Sequence, residues 1–219
     1  MIKKPELVIF DMDGTMLDTE MLSIKGWQAA VEEQIPGVPW EEFSQIFYKM
    51  LGTNLDNCRR VALEHMPTFD FERGNATQIT YMDSYFASKG VPTKTGLLEL
   101  LDKLEALEIK KCVATSTARD RATHKLKLAN IAHRFEVIVG GDQVKVSKPN
   151  PEIFLKAAAA CGVAPEKCLV LEDSLAGVTA GYKAGMQVIV IPDLLPAAPE
   201  TLQMATMECK DMLEVADLI

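Results

Sequence analysis

Two aspartates separated by one residue are the first groups in this chain that could do chemistry. Asp11 and Asp13 follow the apolar run 7–10 and precede Gly14. A short apolar run predicts a central parallel strand, because such a strand is covered on both faces. Residues two positions apart point to the same side of a strand, so we expect the two carboxylates to converge beyond its carboxyl end. Carboxylates this close repel each other, and a divalent cation would relieve the repulsion.

Three further polar clusters follow apolar runs downstream. They supply hydroxyls, one cation and two more acids: Ala114-Thr115-Ser116-Thr117, Ser147-Lys148-Pro149 and Glu172-Asp173-Ser174. Each cluster alone has an ordinary explanation, as turn hydroxyls, a solvated surface lysine or a helix N-cap. Because all three follow predicted strands, their coincidence favours one shared site at the carboxyl edge of a sheet.

The elements that must position these groups alternate between strand and helix from residue 94 onward. A leucine stripe predicts the first helix, through Leu97, Leu98, Leu101, Leu104 and Leu107. Strands are predicted at 111–115, 135–139, 168–171 and 187–191, and helices at 119–130, 151–161 and 174–184. This alternation predicts an α/β fold with a doubly wound parallel sheet.

Residues 20 to about 90 have a different pattern, in which helices follow one another without a strand. Met21, Ile24, Trp27 and Val31 form the first apolar stripe. Further helices are predicted at 40–50, 54–65 and 71–89. We therefore predict a catalytic core at 1–17 and 93–219 with an inserted four-helix cap at 18–92. The connections of this cap adjoin the aspartates, so the cap can hinge over them as a lid.

Composition narrows the possible partners. The chain has 219 residues, a formal net charge of −8 and five cysteines. An acidic surface argues against nucleic acid or an anionic membrane as a partner. The cysteines include no Cys-x-x-Cys pair, which favours reduced thiols over zinc ligands or disulfides. With no secretory leader and no long apolar run, we expect a cytoplasmic protein. We also expect it to be a monomer.

The four polar clusters, in this order on strand ends, resemble the four motifs of the haloacid dehalogenase superfamily. The resemblance covers essentially the whole chain. It is closest to the branch with a helical cap between the first and second motifs, which includes β-phosphoglucomutase and many sugar-phosphate phosphatases. It implies that Asp11 is the nucleophile and that Asp13 is the general acid and base. The implied phosphate ligands are Thr115, Ser116 and Lys148, and the implied metal ligands are Asp11, Asp13, Asp173 and Glu172.

Charge explains why such a set of residues suits a phosphate monoester. Mg²⁺ held by Asp11, Asp173 and the backbone carbonyl of Asp13 would mask the charge that keeps a carboxylate from attacking a phosphate. Lys148 and Thr115 would stabilise the transferring phosphoryl group. Asp11 would then form an aspartyl-phosphate. Asp13 would protonate the leaving alcohol and later take a proton from water.

Three functions compete on this site. Asp13 favours phosphate-ester chemistry, since the dehalogenases that the chain resembles have a non-acidic residue there. A phosphatase is the predicted function, and a phosphomutase is the alternative. A non-catalytic binding module is disfavoured because every catalytic position is filled.

The cap residues separate the first two functions. Mutases that the chain resembles hold a second phosphate with basic cap residues, near positions where this chain has Ser23 and Leu55. Four basic cap residues are possible substitutes: Lys25, Lys49, Arg59 and Arg60. The cap loop that we predict to contact the substrate contains Gly52, Thr53, Asn54 and Leu55.

Overall fold

A computed structural model describes residues 2–50, 53 and 55–219 of the chain. Six strands form one sheet: β1 (Leu7–Phe10), β2 (Lys110–Ala114), β3 (Ile138–Val139), β4 (Cys168–Glu172), β5 (Gln187–Val190) and β6 (Met207–Glu208). Their spatial order is β3-β2-β1-β4-β5-β6, and every neighbouring pair is parallel. The predicted doubly wound parallel sheet is therefore confirmed, with β1 at its centre.

Helices cover both faces of the sheet and form the cap. They are α1 (Glu20–Gln34), α2 (Trp40–Tyr48), α3 (Leu55–His65), α4 (Phe71–Lys89), α5 (Leu97–Ala106), α6 (Arg119–Leu128), α7 (Glu152–Ala160), α8 (Leu175–Lys183), α9 (Pro199–Met204) and α10 (Met212–Leu218). In the part of the chain that is described, none of these helices combines the length and the apolar character needed to cross a membrane.

Three hydrophobic clusters support this arrangement. One face of the sheet packs against α5, α6 and α10, and the other packs against α7 and α8. Helices α1–α4, which we call the cap, have a separate cluster in which Trp27 stacks on Phe71 with ring centroids 5.2 Å apart. Leu22 of α1 and Met82 and Phe86 of α4 pack instead into the cluster on one face of the sheet, so the base of the cap is continuous with the core. The division of the chain at residues 18–92 remains our proposal.

Several sequence predictions are wrong in detail. Leu98 and Leu107 are exposed, and Leu100 takes their place in the buried stripe of α5. Met21 is likewise exposed at the start of α1. The strand predicted at 135–139 is only two residues long, because residues 132–134 form a 3₁₀ turn before it. The short elements β6, α9 and α10 were not predicted.

The two connections between the cap and the core run side by side. The amide of Asp18 donates to the carbonyl of Pro92 at 3.0 Å, and the amide of Lys94 donates to the carbonyl of Met16 at 2.9 Å. The Lys94 ammonium also contacts Asp193 Oδ1 at 2.5 Å, in the loop after β5. Both connections are therefore fixed to the edge of the sheet that carries the aspartates.

Candidate active site

The four predicted clusters meet at the carboxyl ends of the central strands. Asp11 follows β1 directly, and its amide donates to the carbonyl of Leu171 in β4 at 3.0 Å. Thr115 follows β2, Glu172 is the last residue of β4, and Lys148 comes from the loop after β3. Parallel strands align their carboxyl ends, so residues far apart in the sequence reach one edge.

A buried lysine connects two of these clusters. Lys148 Nζ lies 2.5 Å from Asp11 Oδ1 and 2.7 Å from Glu172 Oε1, and its side chain is 2% exposed. Burial by itself would lower the pKa of Lys148, but the two carboxylates outweigh it and raise that pKa above its usual range. The lysine is therefore held as a cation beside Asp11.

Three carboxylates lie close together in the interior of the site and form an acidic cluster. Oxygens of Asp11, Glu172 and Asp173 lie within 4.8 Å of one another. Burial, together with the charges of Glu172 and Asp11, raises the pKa of Asp173 well above its usual range. For Asp11, burial raises the pKa to about 7, although Lys148 opposes the shift. A hard cation with oxygen ligands fits this set of donors, because it compensates the charge that the single lysine leaves unbalanced.

Two glycines allow the carboxylates to approach so closely. Gly14 has φ +82°, and a Cβ atom there would collide with Asp173 Oδ2. A Cβ atom at Gly177, in the first turn of α8, would likewise collide with the carboxylate of Glu172. Any larger residue at either position would displace a member of the acidic cluster.

Glu172 and Asp173 differ in how many hydrogen bonds they already accept. Glu172 Oε2 accepts from the amides of Asp173 and Ser174 and from the Ser174 hydroxyl, each at 2.9 Å. Its other oxygen accepts from Lys148. Asp173 accepts a single hydrogen bond from the described residues, from Thr15 Oγ1 at 3.1 Å. Asp173 thus has more free capacity to bind a cation.

Asp13 has its own set of donors. Thr19 Oγ1 and Lys125 Nζ each lie 2.7 Å from Asp13 Oδ1, and Thr117 Oγ1 lies 2.8 Å from Oδ2. Burial would raise the pKa of Asp13, but Lys125 and the two hydroxyls outweigh it and lower that pKa. The side chain of Asp13 therefore stands apart from the acidic cluster and is held as a carboxylate.

Sequence reasoning did not assign a role to Thr19, Thr117 or Lys125. The available signal was weak: Lys125 shares the buried face of α6 with Ala122 and Leu126, where a lysine needs a partner. Which acid it would meet depends on how α6 packs against the first strand. Spacing alone does not give that contact.

A cavity of about 470 Å³ lies between the sheet edge and the cap. The core wall contains Asp11, Asp13, Thr115, Ser116, Thr117, Arg121 and Lys125. The cap wall contains Glu20, Ser23, Trp27, Thr53, Leu55, Asp56, Asn75 and Gln78. Thr53 and Leu55 of the predicted cap loop therefore line the cavity, and their contact with a substrate remains a prediction. Gly52 and Asn54 of that loop are outside the described residues.

The four basic residues considered for the cap do not line this cavity. Lys49 instead contacts His65, Arg59 pairs with Glu72 and Arg60 with Glu64, whereas Lys25 is exposed. Basic residues that do line the cavity come from α6 in the core. Arg121 binds Asp83 of α4 at 2.9 Å and thereby links core to cap, and Lys125 binds Asp13.

Glu20 is another lining residue that the sequence analysis did not single out. It is the first residue of α1, and its carboxyl is only partly exposed. Burial and the nearby charges of Asp13 and Asp193 raise the pKa of Glu20 to about 8.

Comparison with known proteins gives the class to which this fold and site belong. The model of a family described as haloacid dehalogenase-like hydrolase matches residues 8–191. The chain therefore belongs to this family, which confirms the resemblance and the hydrolase class of enzyme.

Two relatives in sequence are named as phosphatases, and a solved structure shows the same fold. A phosphorylated carbohydrates phosphatase from Thermotoga maritima is 32% identical over 182 residues, which is 83% of this chain and 82% of the relative. A probable pseudouridine-5'-phosphatase from Drosophila melanogaster is 32% identical over 204 residues, covering 88% and 84% of the two chains. The crystal structure of β-phosphoglucomutase from Clostridium difficile shares the fold, with a TM-score of 0.78 at 21% identity over 96% of this chain and 93% of that one.

Proposed function

We propose that this protein is a Mg²⁺-dependent phosphatase that hydrolyses a small phosphate monoester, such as a sugar phosphate, through an aspartyl-phosphate on Asp11. The observation that carries the proposal is the contact of Asp11 with a buried lysine at 2.5 Å, beside an acidic cluster and beneath a cavity. Relatives with 32% identity that are named as phosphatases support the same reading.

Asp11 is the nucleophile of this proposal. Lys148 fixes its orientation through Oδ1 and places a positive charge where the phosphoryl group develops negative charge. Thr115 lies on the core wall and would donate a hydrogen bond to the same phosphoryl oxygens, while Ser116 would offer its backbone amide.

The metal ligands in this proposal are Asp11, Asp173 and the backbone carbonyl of Asp13. Glu172 takes an outer role, because Lys148 and three donors near the start of α8 already occupy its oxygens. Mg²⁺ bound there would neutralise the charge between nucleophile and phosphate. Oxygen-only coordination with room for water suits Mg²⁺ better than a softer metal.

Asp13 is the general acid and base. In its protonated form it would give a proton to the leaving alcohol, and the carboxylate formed in that step would then take a proton from the attacking water. Thr19, Thr117 and Lys125 hold its carboxylate in one orientation, which keeps the proton acceptor in place for the second step.

The cap wall favours a phosphatase over a mutase. A mutase needs a positive group on the cap to hold a second phosphate. Among the described residues that line the cap wall there is no lysine or arginine, and Ser23 and Leu55 are both uncharged. The loop containing Gly52, Thr53, Asn54 and Leu55 remains our proposal for the segment that selects the substrate.

A screen of the purified protein against phosphorylated metabolites and an aryl phosphate tests the proposal. We expect Mg²⁺-dependent release of inorganic phosphate, lost on chelation and in Asp11→Asn. No release from any ester would overturn the phosphatase assignment. Isomerisation of a sugar phosphate upon addition of a sugar bisphosphate, without net release, would instead establish the phosphomutase.

A further inference from the structure

Glu20 lines the cavity, yet the chemistry proposed above does not use it. It lies where the main cavity adjoins a smaller one of about 210 Å³ that extends to Asp193. Its carboxyl accepts no hydrogen bond from any residue that the structure describes. Glu20 is half-buried, and its carboxyl is open to the cavity. A molecule bound in the cavity could therefore supply a hydrogen-bond partner.

The position of Glu20 indicates which part of a substrate it would meet. Glu20 directly follows Thr19, whose hydroxyl donates to Asp13 Oδ1, and Glu20 and Asp13 line the same cavity. Asp13 is also the residue proposed to protonate the leaving alcohol. The phosphoryl group belongs on the other side, against Asp11, Thr115 and Lys148. Glu20 thus faces the alcohol part of the ester.

The surroundings of Glu20 favour hydroxyl groups over a second anion. Ser23, Asn75 and Gln78 on the cap wall are polar and uncharged, and the Gln78 amide also donates to Ser23 Oγ at 3.1 Å. A hydroxyl can donate to a carboxylate and accept from an amide, so it satisfies both kinds of group. A second phosphate or carboxylate would instead lie near three acids, Glu20, Asp13 and Asp193, and the described part of the cap wall offers no cation to hold it.

We propose that Glu20 is a specificity-determining residue that binds hydroxyl groups of the leaving alcohol and disfavours alcohols carrying a second anionic group. This inference rests on the proposed phosphatase function. It assigns to the first residue of α1 a role in substrate choice and leaves the phosphoryl-transfer step to the core wall.

Two substitutions separate hydrogen bonding from charge. Glu20→Leu removes both. For the monophosphate of an uncharged sugar, here called the neutral sugar phosphate, we expect kcat/KM to fall at least about 10-fold. For an aryl phosphate we expect kcat/KM to change less than about threefold. Glu20→Gln keeps the hydrogen bonds. We expect it to stay within about threefold on the neutral sugar phosphate but to gain at least about 10-fold in relative preference for a sugar bisphosphate.

Glu42→Leu and Glu42→Gln are the matched controls, since Glu42 is an exposed glutamate of α2 that does not line the cavity. They should alter neither preference. Thermal unfolding and inhibition by inorganic phosphate, measured for all variants, report whether the fold and the phosphoryl site are intact. An equal loss on both esters in Glu20→Leu, or no loss on either, would overturn the role of Glu20.

Failure of the proposed function would give a different result, in which the wild-type protein releases no phosphate from any ester. Calorimetric titration with the neutral sugar phosphate then decides the role of Glu20 alone: weaker binding by Glu20→Leu but not by Glu42→Leu supports it, and equal binding refutes it.

Discussion

The two walls of the cavity hold their polar groups in opposite ways. In the core, two buried lysines are paired with carboxylates: Lys148 contacts Asp11 and Glu172, and Lys125 contacts Asp13. On the cap wall, Asn75 and Gln78 are uncharged, and Glu20 lacks a hydrogen-bond partner among the described residues. The first arrangement is preorganised for one reaction, since fixed charges need no rearrangement as the reaction proceeds. In the second arrangement Gln78 donates to Ser23 Oγ, whereas the carboxyl of Glu20 remains available to a substrate.

This difference explains how one core chemistry can serve different substrates. A change on the core wall leaves a buried charge without its partner, which is costly. Under the proposed function, we expect a change on the cap wall to alter contacts with the leaving group. Substitutions on the two walls should therefore differ in both size and kind of effect.

The largest effect is expected at Asp11. Asp11→Asn keeps the shape of the side chain but removes the nucleophile, so turnover of every ester should fall at least about 100-fold. Steady-state kinetics measure the loss, and circular dichroism checks the fold. Asp217→Asn, at an exposed position on α10, is the control. More than a few per cent of wild-type activity in Asp11→Asn would contradict its role as the nucleophile.

The second-largest effect is expected from changes to the acidic cluster of Asp11, Glu172 and Asp173 and to the metal that it is proposed to bind. Chelation should remove activity and Mg²⁺ restore it, while Ca²⁺, which is larger and less strictly octahedral, should inhibit. Asp173→Asn should raise the Mg²⁺ concentration for half-maximal activity at least about 10-fold, and more than Glu172→Gln does. Metal titrations of both variants give the comparison. Equal titrations would refute the assignment of Asp173 as the direct ligand and Glu172 as the outer one.

The Lys125–Asp13 pair should show the cost of breaking a buried charge pair on the core wall. The side chain of Lys125 is 8% exposed and that of Asp13 is 21% exposed. Lys125→Met should lower the free energy of unfolding by about 1–3 kcal/mol, less than for a fully buried pair because Asp13 retains some solvent. Urea denaturation measures the change.

A double-mutant cycle with Asp13→Asn tests whether this cost belongs to the pair. Much of the loss should disappear when Asp13 no longer carries charge. Fully additive effects of the two substitutions would show that Lys125 stabilises the protein through its packing alone.

The smallest effect is expected at the cap loop. Leu55 lines the cavity and is exposed, so Leu55→Arg would place a cation on the cap wall without disturbing a core. We expect KM for a sugar bisphosphate to fall about three- to tenfold, with little change for an aryl phosphate. Leu63→Arg, on the same helix but outside the cavity lining, is the control. An identical response to both substitutions would mean that Leu55 does not face the substrate.

Local pattern was sufficient to predict the motif residues. Asp11, Thr115 and Glu172 follow or end apolar runs, and the carboxyl ends of parallel strands necessarily share an edge. The helix predicted at 71–89 matches α4, where Asp70 caps the start by accepting from the amide of Arg73. Both predictions use information that lies within a few residues along the chain.

Predictions failed where neighbours distant in sequence decide the outcome. Leu98 fits a helical stripe as well as Leu100 does, but α10 and the sheet lie on the side of α5 that buries Leu100. The two-residue strand β6 carries too short a pattern to be recognised, and its pairing with β5 defines it.

The sequence by itself determined the α/β sheet, the order of the four motifs and the identity of the acids and the lysine at its edge. Periodicity and strand ends encode these features locally. Only the tertiary structure decided which donors surround Asp13, why Glu172 and Asp173 differ in free oxygens, and that Glu20 faces the cavity. These contacts join the start of α1, α6 and the strand ends across 6 to 112 residues of chain, as the contacts of Asp13 with Thr19 and Lys125 illustrate. Packing geometry, rather than spacing along the chain, brings such groups within hydrogen-bond distance.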